Sequence, residues 1–453
     1  MYILFIILHY VIGILLLLVT GFRKINAVVL GLAFPLGLGT ATAVVFLMDV
    51  MHIHLNLWSV TGGHIVVVGI LYFIAQQKMK LTWSELWRIR SFAISLSEWP
   101  FLIVITALVL ISAWRCIYVP VTPYDAIQGI DLLAKYAVQE GHINSSMFTD
   151  MQPYLSTQPY YAPFCALSQI IYRLGGLPFG KIWLSFMFIS FVVVFYCQLR
   201  DSLHPILAGI LTLTLIAIPE MYAYTFMLQT DYSNAIFVTL GIIILYQYLQ
   251  EKQQANFRIA CLLLGFSVWT RSETIAFILL TAVLLFFYSF KSNMKPVLKD
   301  TGLLLIPGFV AFAAWNLFYL PVVLHYSPES YFKFGFWDMT RLGILLKGIW
   351  ALLSNSFYWG YILHFFIFIL AINLLIFRDT RNVFLLFWII GLIAGFLILL
   401  YHLQLGLGAN INYTFRRGLF KLFPVVLFYI GTSRVIQYLS EKIQRFESAH
   451  ITT

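Results

Sequence analysis

Charge is what this sequence has least of: 28 Lys and Arg and 18 Asp and Glu in 453 residues, 10% of the chain. A soluble domain carries roughly 25% charged residues, so a soluble fold is excluded. Cysteine is equally sparse, at Cys116, Cys165, Cys197 and Cys261. No CxxC or metal spacing joins them, which excludes a disulfide scaffold or zinc framework and leaves small core hydrophobes; only Cys116 and Cys165 could share one side of a membrane. The strict alternation of a transmembrane β-barrel is missing. So are a low-complexity tract, a clean internal repeat and a second soluble domain.

What is there is apolar: 61% of residues are hydrophobic. They come in blocks of about twenty, the length that crosses roughly 30 Å of hydrocarbon, and in lipid such blocks must be helices because every backbone polar group needs a partner. Thirteen runs read this way: 2–20, 27–48, 59–77, 99–118, 181–199, 204–219, 231–250, 258–270, 273–290, 301–322, 356–377, 383–403 and 418–437. The first follows no basic residue and is too long for a signal peptide, so it reads as a retained helix. The expected fold is an all-α polytopic membrane protein with about 13 transmembrane helices. Its parts are an N-terminal three-helix segment with an interfacial helix (1–98), a main transmembrane module (99–437) and a cytoplasmic tail (438–453).

Basic residues set the expected orientation. Arg23, Lys24, Lys78, Lys80, Arg88, Arg90, Arg200, Lys252, Arg258, Lys291, Lys295, Lys299, Arg378, Arg381, Arg434, Lys442 and Arg445 fall on one side, which the positive-inside rule makes cytoplasmic. The net charge of +10 is therefore orientation charge, or else attracts anionic lipid or substrate. The alternation closes only if 258–290 is two short helices with Thr270-Arg271-Ser272-Glu273 at their tip, reaching the outer half of the membrane. Segment 78–98, with Trp83 and Trp87, reads as an amphipathic helix on the inner leaflet. Three long segments remain outside, 119–180, 323–355 and 404–417, and they place the work on the non-cytoplasmic face.

In the first outer segment, Ala126, Ile127, Ile130, Leu133, Ala134, Ala137 and Val138 have helical spacing, and Gly141 supplies the stop. At its start Asp125 has two readings. It closes a capping box with Thr122 and Pro123, or it faces a membrane-bound substrate at a cavity mouth. Asp131, among apolar neighbours, pairs with Lys135 at i+4 or turns toward a polar cavity. Further on, Gln152-Pro153-Tyr154 and Gln158 to Pro163, with Tyr160 and Tyr161, offer rigid turns and aromatic faces for a sugar or a lipid headgroup, or an ordinary interfacial belt.

Charges near membrane depth need a reason. Glu220 and Asp231 bracket a short outer turn. Arg271 and Glu273 occupy the hairpin tip, as a structural ion pair or as cavity groups. Arg416, Arg417 and Lys421 enter the last helix, where they snorkel or meet an anion, and a basic triplet on the outer face favours a phosphate or diphosphate. His52 and His54, with Asp49 and His64 nearby, have the composition of a metal cluster, but a turn between helices holds histidines without any metal. Asn144 and Asn412 head glycosylation sequons.

Together, Tyr124-Asp125 after an early helix, the large outer loop, Pro219-Glu220 with Asp231, the stretch from Gly265 to Glu273, and Arg416-Arg417 before Phe423-Pro424 resemble the GT-C membrane glycosyltransferases over about 99–437. The resemblance implies a GT-C-like fold, a sugar donor on a polyprenyl phosphate, and an acceptor that is a glycan, a lipid or a protein. It implies Asp125 as the base, with Asp131, Glu220 or Asp231 as second acid, because Asp125 is followed by Ala126 rather than by another acid. Arg271, Arg416, Arg417 and Lys421 would hold the donor phosphate. Glu273, Tyr124, Tyr160 and Tyr161 would support the cavity, and the segment from Tyr326 to Trp337, with Asp338 and Arg341, would cover the donor. Transfer by one base would invert the anomeric carbon. No cofactor is implied, with a divalent metal left open. The partners are membrane lipids and no nucleic acid, and the expected place is a bacterial inner membrane with chemistry on its outer, periplasmic face. The rival functions are a transporter or flippase of lipid-linked saccharides, a polysaccharide polymerase or ligase, and a non-catalytic scaffold.

Overall fold

The computed structural model describes residues 1–22, 25–79, 94–151, 155, 158–289, 294–326, 338–402 and 410–451, which form helices and turns with no strand among them. Among the described residues nine helices are long and apolar enough to cross a membrane, or ten if Ile411–Thr432 and Arg434–Ala449, bent by 53°, count as one broken span. This is fewer than the thirteen full spans expected. Three of the expected runs form shorter helices, Pro205–Ile216, Gln254–Thr270 and Ile362–Leu375, of 12, 17 and 14 residues. At about 1.5 Å per residue, twelve residues reach only about 18 Å.

Several stops follow the local chemistry. Pro205 opens its helix under a side-chain cap from His204, and Gly141 ends Asp131–Glu140 at φ 78°, a left-handed conformation that favours glycine. The expected interfacial helix 78–98 falls outside the described residues at 80–93, Trp83 and Trp87 included. What is described there is a capping box at Ser95 and Glu98 leading into Trp99–Tyr118. The stretch expected as a tail is helical: Arg434–Ile451 buries Val435, Ile436 and Ser440 and exposes Tyr438, Leu439 and Phe446.

The chain divides into two compact units that do not follow chain order. The first holds Met1–Cys197, Ala223–Ser272 and Ile306–Tyr326. Its first two helices touch backbone to backbone: a methyl group at Gly37 would fall 1.7 Å from the carbonyl oxygen of His9, and one at Gly13 1.8 Å from that of Ala33. Only glycine permits that approach. Segment 119–180, expected outside the membrane, docks on the end of Ala27–Val50, where the buried Asp49 carboxylate accepts from the Ile143 backbone N–H (2.7 Å) and the Tyr319 hydroxyl.

The second unit holds Gln198–Tyr222, Glu273–Leu305 and Ser327–Thr453. Every residue of its central helix, Leu422–Thr432, is buried. Asparagines fix the bend that follows: Asn382 donates to the Thr432 carbonyl at 2.9 Å and Asn373 accepts from Arg434 N–H at 3.2 Å. Both satisfy backbone groups released where the helix ends.

Candidate functional site

The outer loop begins with a π-helical turn, Ala126–Ile130, before the regular helix Asp131–Glu140. Such one-turn widenings often mark functional sites. Asp125 stands at the entrance of this turn, half-buried, and makes no side-chain cap there; Gln158 donates its amide to the carboxylate over a long 3.5 Å. Tyr124 beside it is 66% exposed.

Asp131 is different in kind. It is 1% exposed and meets Arg173 at 2.6 Å, Lys135 at 3.0 Å and the Gln169 amide at 3.1 Å. Gln169 also donates to the Phe179 carbonyl and accepts from Trp183, so the acid ties the two loop helices and the next span together. Of its two sequence readings, the Lys135 pair is present, joined by an arginine 42 residues away.

In the same unit Asp231 opens the helix Thr230–Glu251, 1% exposed and ion-paired with Arg271. Arg271 ends Gln254–Thr270 in extended conformation, which turns its side chain away from the helix axis to that acid. The loop helix Phe164–Leu174 lies close by. Phe164 packs edge-on against Phe237, and the Cys165 thiol, pushed up by burial, feels the charges of both Asp231 and Arg271. A second π-helical segment, Ala313–Val323, connects the two ends of the site. Trp315 donates to the Tyr160 carbonyl at 3.0 Å, and Asn316 donates to the hydroxyl of Ser272 at 2.8 Å. Tyr160 stacks on Tyr326 with ring centroids 3.5 Å apart, and burial together with that neighbour raises its hydroxyl above the usual phenol range. Tyr161 follows it, half-buried. Thus Asp125, Asp231, Arg271 and Tyr160 share one unit, linked through Gln158, Trp315 and Asn316.

The other predicted residues belong to the second unit. Glu220 and Arg416 form an ion pair at 3.2 Å. The Arg416 guanidinium lies over Tyr358 at 5.0 Å and Tyr413 at 5.9 Å, and donates to the Tyr358 hydroxyl. Arg417 reaches the Tyr413 carbonyl at 3.4 Å. Lys421, expected at the surface or at a phosphate, is 2% exposed with its ammonium 5.9 Å from the Phe396 ring centroid. Glu273 sits half-buried in the 3-10 turn Ser272–Thr274. Arg341 lies over Tyr401, whose hydroxyl meets the Asp338 backbone N–H. The covering segment 327–337, Gln152–Tyr154 and residues 403–409 lie outside the described residues.

The same unit holds an apolar groove of about 460 Å³, lined among others by Ala276, Phe277, Gly391, Ala394, Gly395 and His402. Phe277 in its wall packs at a tilt against Phe396, the ring under Lys421, and His402 follows Tyr401, the ring under Arg341.

Sequence reasoning missed Arg173, Gln158, Trp315 and Asn316. Polar residues in apolar runs were the available signal, but nothing local says which distant group they meet. It also missed Lys181, 2% exposed, which donates to the Pro120 and Phe226 carbonyls; burial lowers its affinity for a proton. The histidines near the first outer turn part ways. His54 packs on His142 with ring centroids 5.4 Å apart, while His64 is buried against His9. Among the described residues no group of three or more His, Cys, Asp or Glu is placed to hold a metal. Comparison with protein-family models, curated proteins and solved structures returns no match.

Proposed function

We propose that this protein is a GT-C-like membrane glycosyltransferase that moves a sugar from a polyprenyl-phosphate carrier to an acceptor hydroxyl on the non-cytoplasmic face. The observation that carries the reading is the apolar groove, in the same unit as the ring-packed cations Lys421 and Arg341. A long hydrocarbon chain with an anionic head suits both parts. Arg416, in the same unit, is held rigid by Glu220 and two tyrosines. A guanidinium has five N–H donors, more than these contacts use, and a rigid one is oriented in advance of the charge that develops on a phosphate.

In this reaction the acceptor oxygen attacks the anomeric carbon, its proton passes to the Asp125 carboxylate, and the bond from that carbon to the phosphate oxygen breaks with the electron pair leaving on phosphate. One base and one displacement invert the centre. Asp125 suits the role by its position at a π-helical turn on the outer loop, open enough to meet a substrate. The structural acid Asp131 does not compete for it, being neutralised by Arg173 and Lys135.

The test is incubation of the purified full chain in liposomes with polyprenyl-phosphate sugars, followed by mass spectrometry of the products. Asp125→Asn is expected to lower transfer by at least about a hundredfold with the unfolding temperature kept. A wild-type rate in that variant removes Asp125 from the chemistry. Carrier translocation without any new glycosidic bond would make the protein a transporter.

A further inference from the structure

Gln158 has two ends, and they are treated differently. An amide facing a carboxylate must turn its NH2 toward it, since a carboxylate only accepts. The Asp125 contact therefore fixes the orientation: Nε2 points to Asp125 Oδ1, and Oε1 points the other way. That Oε1 is buried and has no hydrogen-bond donor among the described residues. Buried acceptors are ordinarily satisfied, by protein, water or ligand.

The residue is not free to swing away. A methyl group on Gly129, one turn after Asp125, would fall 2.4 Å from Gln158 Cβ and 2.7 Å from its carbonyl carbon, so the 158–160 turn is pressed onto the π-helical turn on that side. On the other side Trp315 holds the Tyr160 carbonyl and Tyr326 covers the Tyr160 ring. Both neighbours are large and close. Gln158 is thereby fixed beside the exposed edge of Asp125.

We propose that Asp125 and Gln158 form a subsite for a vicinal diol, one hydroxyl donating to the Asp125 carboxylate and its neighbour donating to Gln158 Oε1, so that the acceptor is a sugar or another polyol. The subsite presents two acceptors on either side of one amide nitrogen, which suits two hydroxyl donors on adjacent carbons and rejects phosphate. The exposed Tyr124 ring alongside supplies an apolar face of the kind a pyranose ring packs on. The choice of hydroxyl over amine rests on the transferase reading, in which Asp125 removes a hydroxyl proton.

The experiment has two readouts on the full chain in nanodiscs. First, ligand-observed NMR measures binding of methyl α-mannopyranoside, methyl α-glucopyranoside and methyl α-galactopyranoside, each against tetrahydropyran-2-methanol, which has the ring and no vicinal diol, and against ethanolamine, without donor present. Second, the acceptor KM of the glycoside that binds is measured with donor. Gln158→Leu, which keeps the bulk and removes the carbonyl, is expected to weaken glycoside binding and raise the acceptor KM roughly tenfold, the worth of one hydrogen bond, while the donor KM stays unchanged. Gln158→Asn, an amide one methylene shorter, is expected to fall between. Because Gln158→Leu also loosens the turn, the unfolding temperature is measured alongside: a lower temperature with unchanged binding and KM means a merely structural residue or a bound water, and overturns the subsite. Preference for ethanolamine, or equal binding of the diol-free ring, overturns it as well. Glycoside binding that depends on Gln158 in a protein that transfers no sugar sustains the subsite and removes the transferase.

Discussion

Two aspartates six residues apart on one loop end up in opposite situations, and the reason lies in their partners. Asp131 is buried with an arginine at 2.6 Å, and Asp125 is half open. Removing one member of a buried ion pair leaves the other charge uncompensated, at about 3 kcal/mol or more. Asp131→Asn is therefore expected to lower the denaturant midpoint by about that free energy, with Arg173 carrying most of the effect and the surface Lys135 little. Adding Arg173→Gln to Asp131→Asn should restore part of the loss, since no buried charge then stands alone. A loss equal to that of a surface substitution, or none, would show the pair to be dispensable. The i+4 partner of Asp131 was legible because four residues make one helical turn. Arg173 was not, because the spacing that brings it there is set by tertiary packing of the two loop helices.

Helical periodicity located the outer-loop helix, and Gly141 ends it where expected. What periodicity did not reveal is the widened turn at its start. A π-helical turn contains one residue more than the α-helix it interrupts, and an apolar pattern sampled over a few residues does not resolve one insertion. Three such segments exist among the described residues, Ala126–Ile130, Ala313–Val323 and Asn410–Phe415. The first adjoins Asp125, the second carries Trp315 and Asn316, and the third leads into Arg416. The short first one re-aims a side chain by about 100° relative to the helix that follows, one residue of an α-helical turn. Deleting Gln128 regularises the first turn while leaving Gly129 and everything after it in register with Gln158. The expected result is a folded protein, as stable as the wild type by thermal unfolding, in which Asp125 is rotated off its site and sugar transfer is lost. Full transfer by the deletion variant would show that the turn has no part in aiming the carboxylate.

At the scale of the whole chain, composition sufficed for an all-helical protein with many membrane-length helices, but not for how many cross. Apolar runs were read as equal in rank, yet Pro205–Ile216 is helical for only 12 residues before the chain breaks and restarts at Pro219–Ala223. Charge decides what that short piece does. On the orientation expected from the positive-inside rule, Arg200 before it and Lys252 after Thr230–Glu251 both fall on the inner side. Two crossings must therefore lie between them, and the 205–223 stretch has to supply one despite its length, by continuing through the broken segment rather than by a regular helix alone. A single cysteine at exposed Thr149 and another at exposed Lys252, each in a chain without its native cysteines, give the readout in sealed vesicles with a membrane-impermeant maleimide. Thr149 and Lys252 are separated by Ile182–Arg200, the short helix and Thr230–Glu251. Three crossings place the two labels on opposite faces, which is the expected result. Labels on the same face would mean that the 205–223 stretch re-enters rather than crosses, and Glu220 would then lie on the same face as Arg200, away from any chemistry on the outer side.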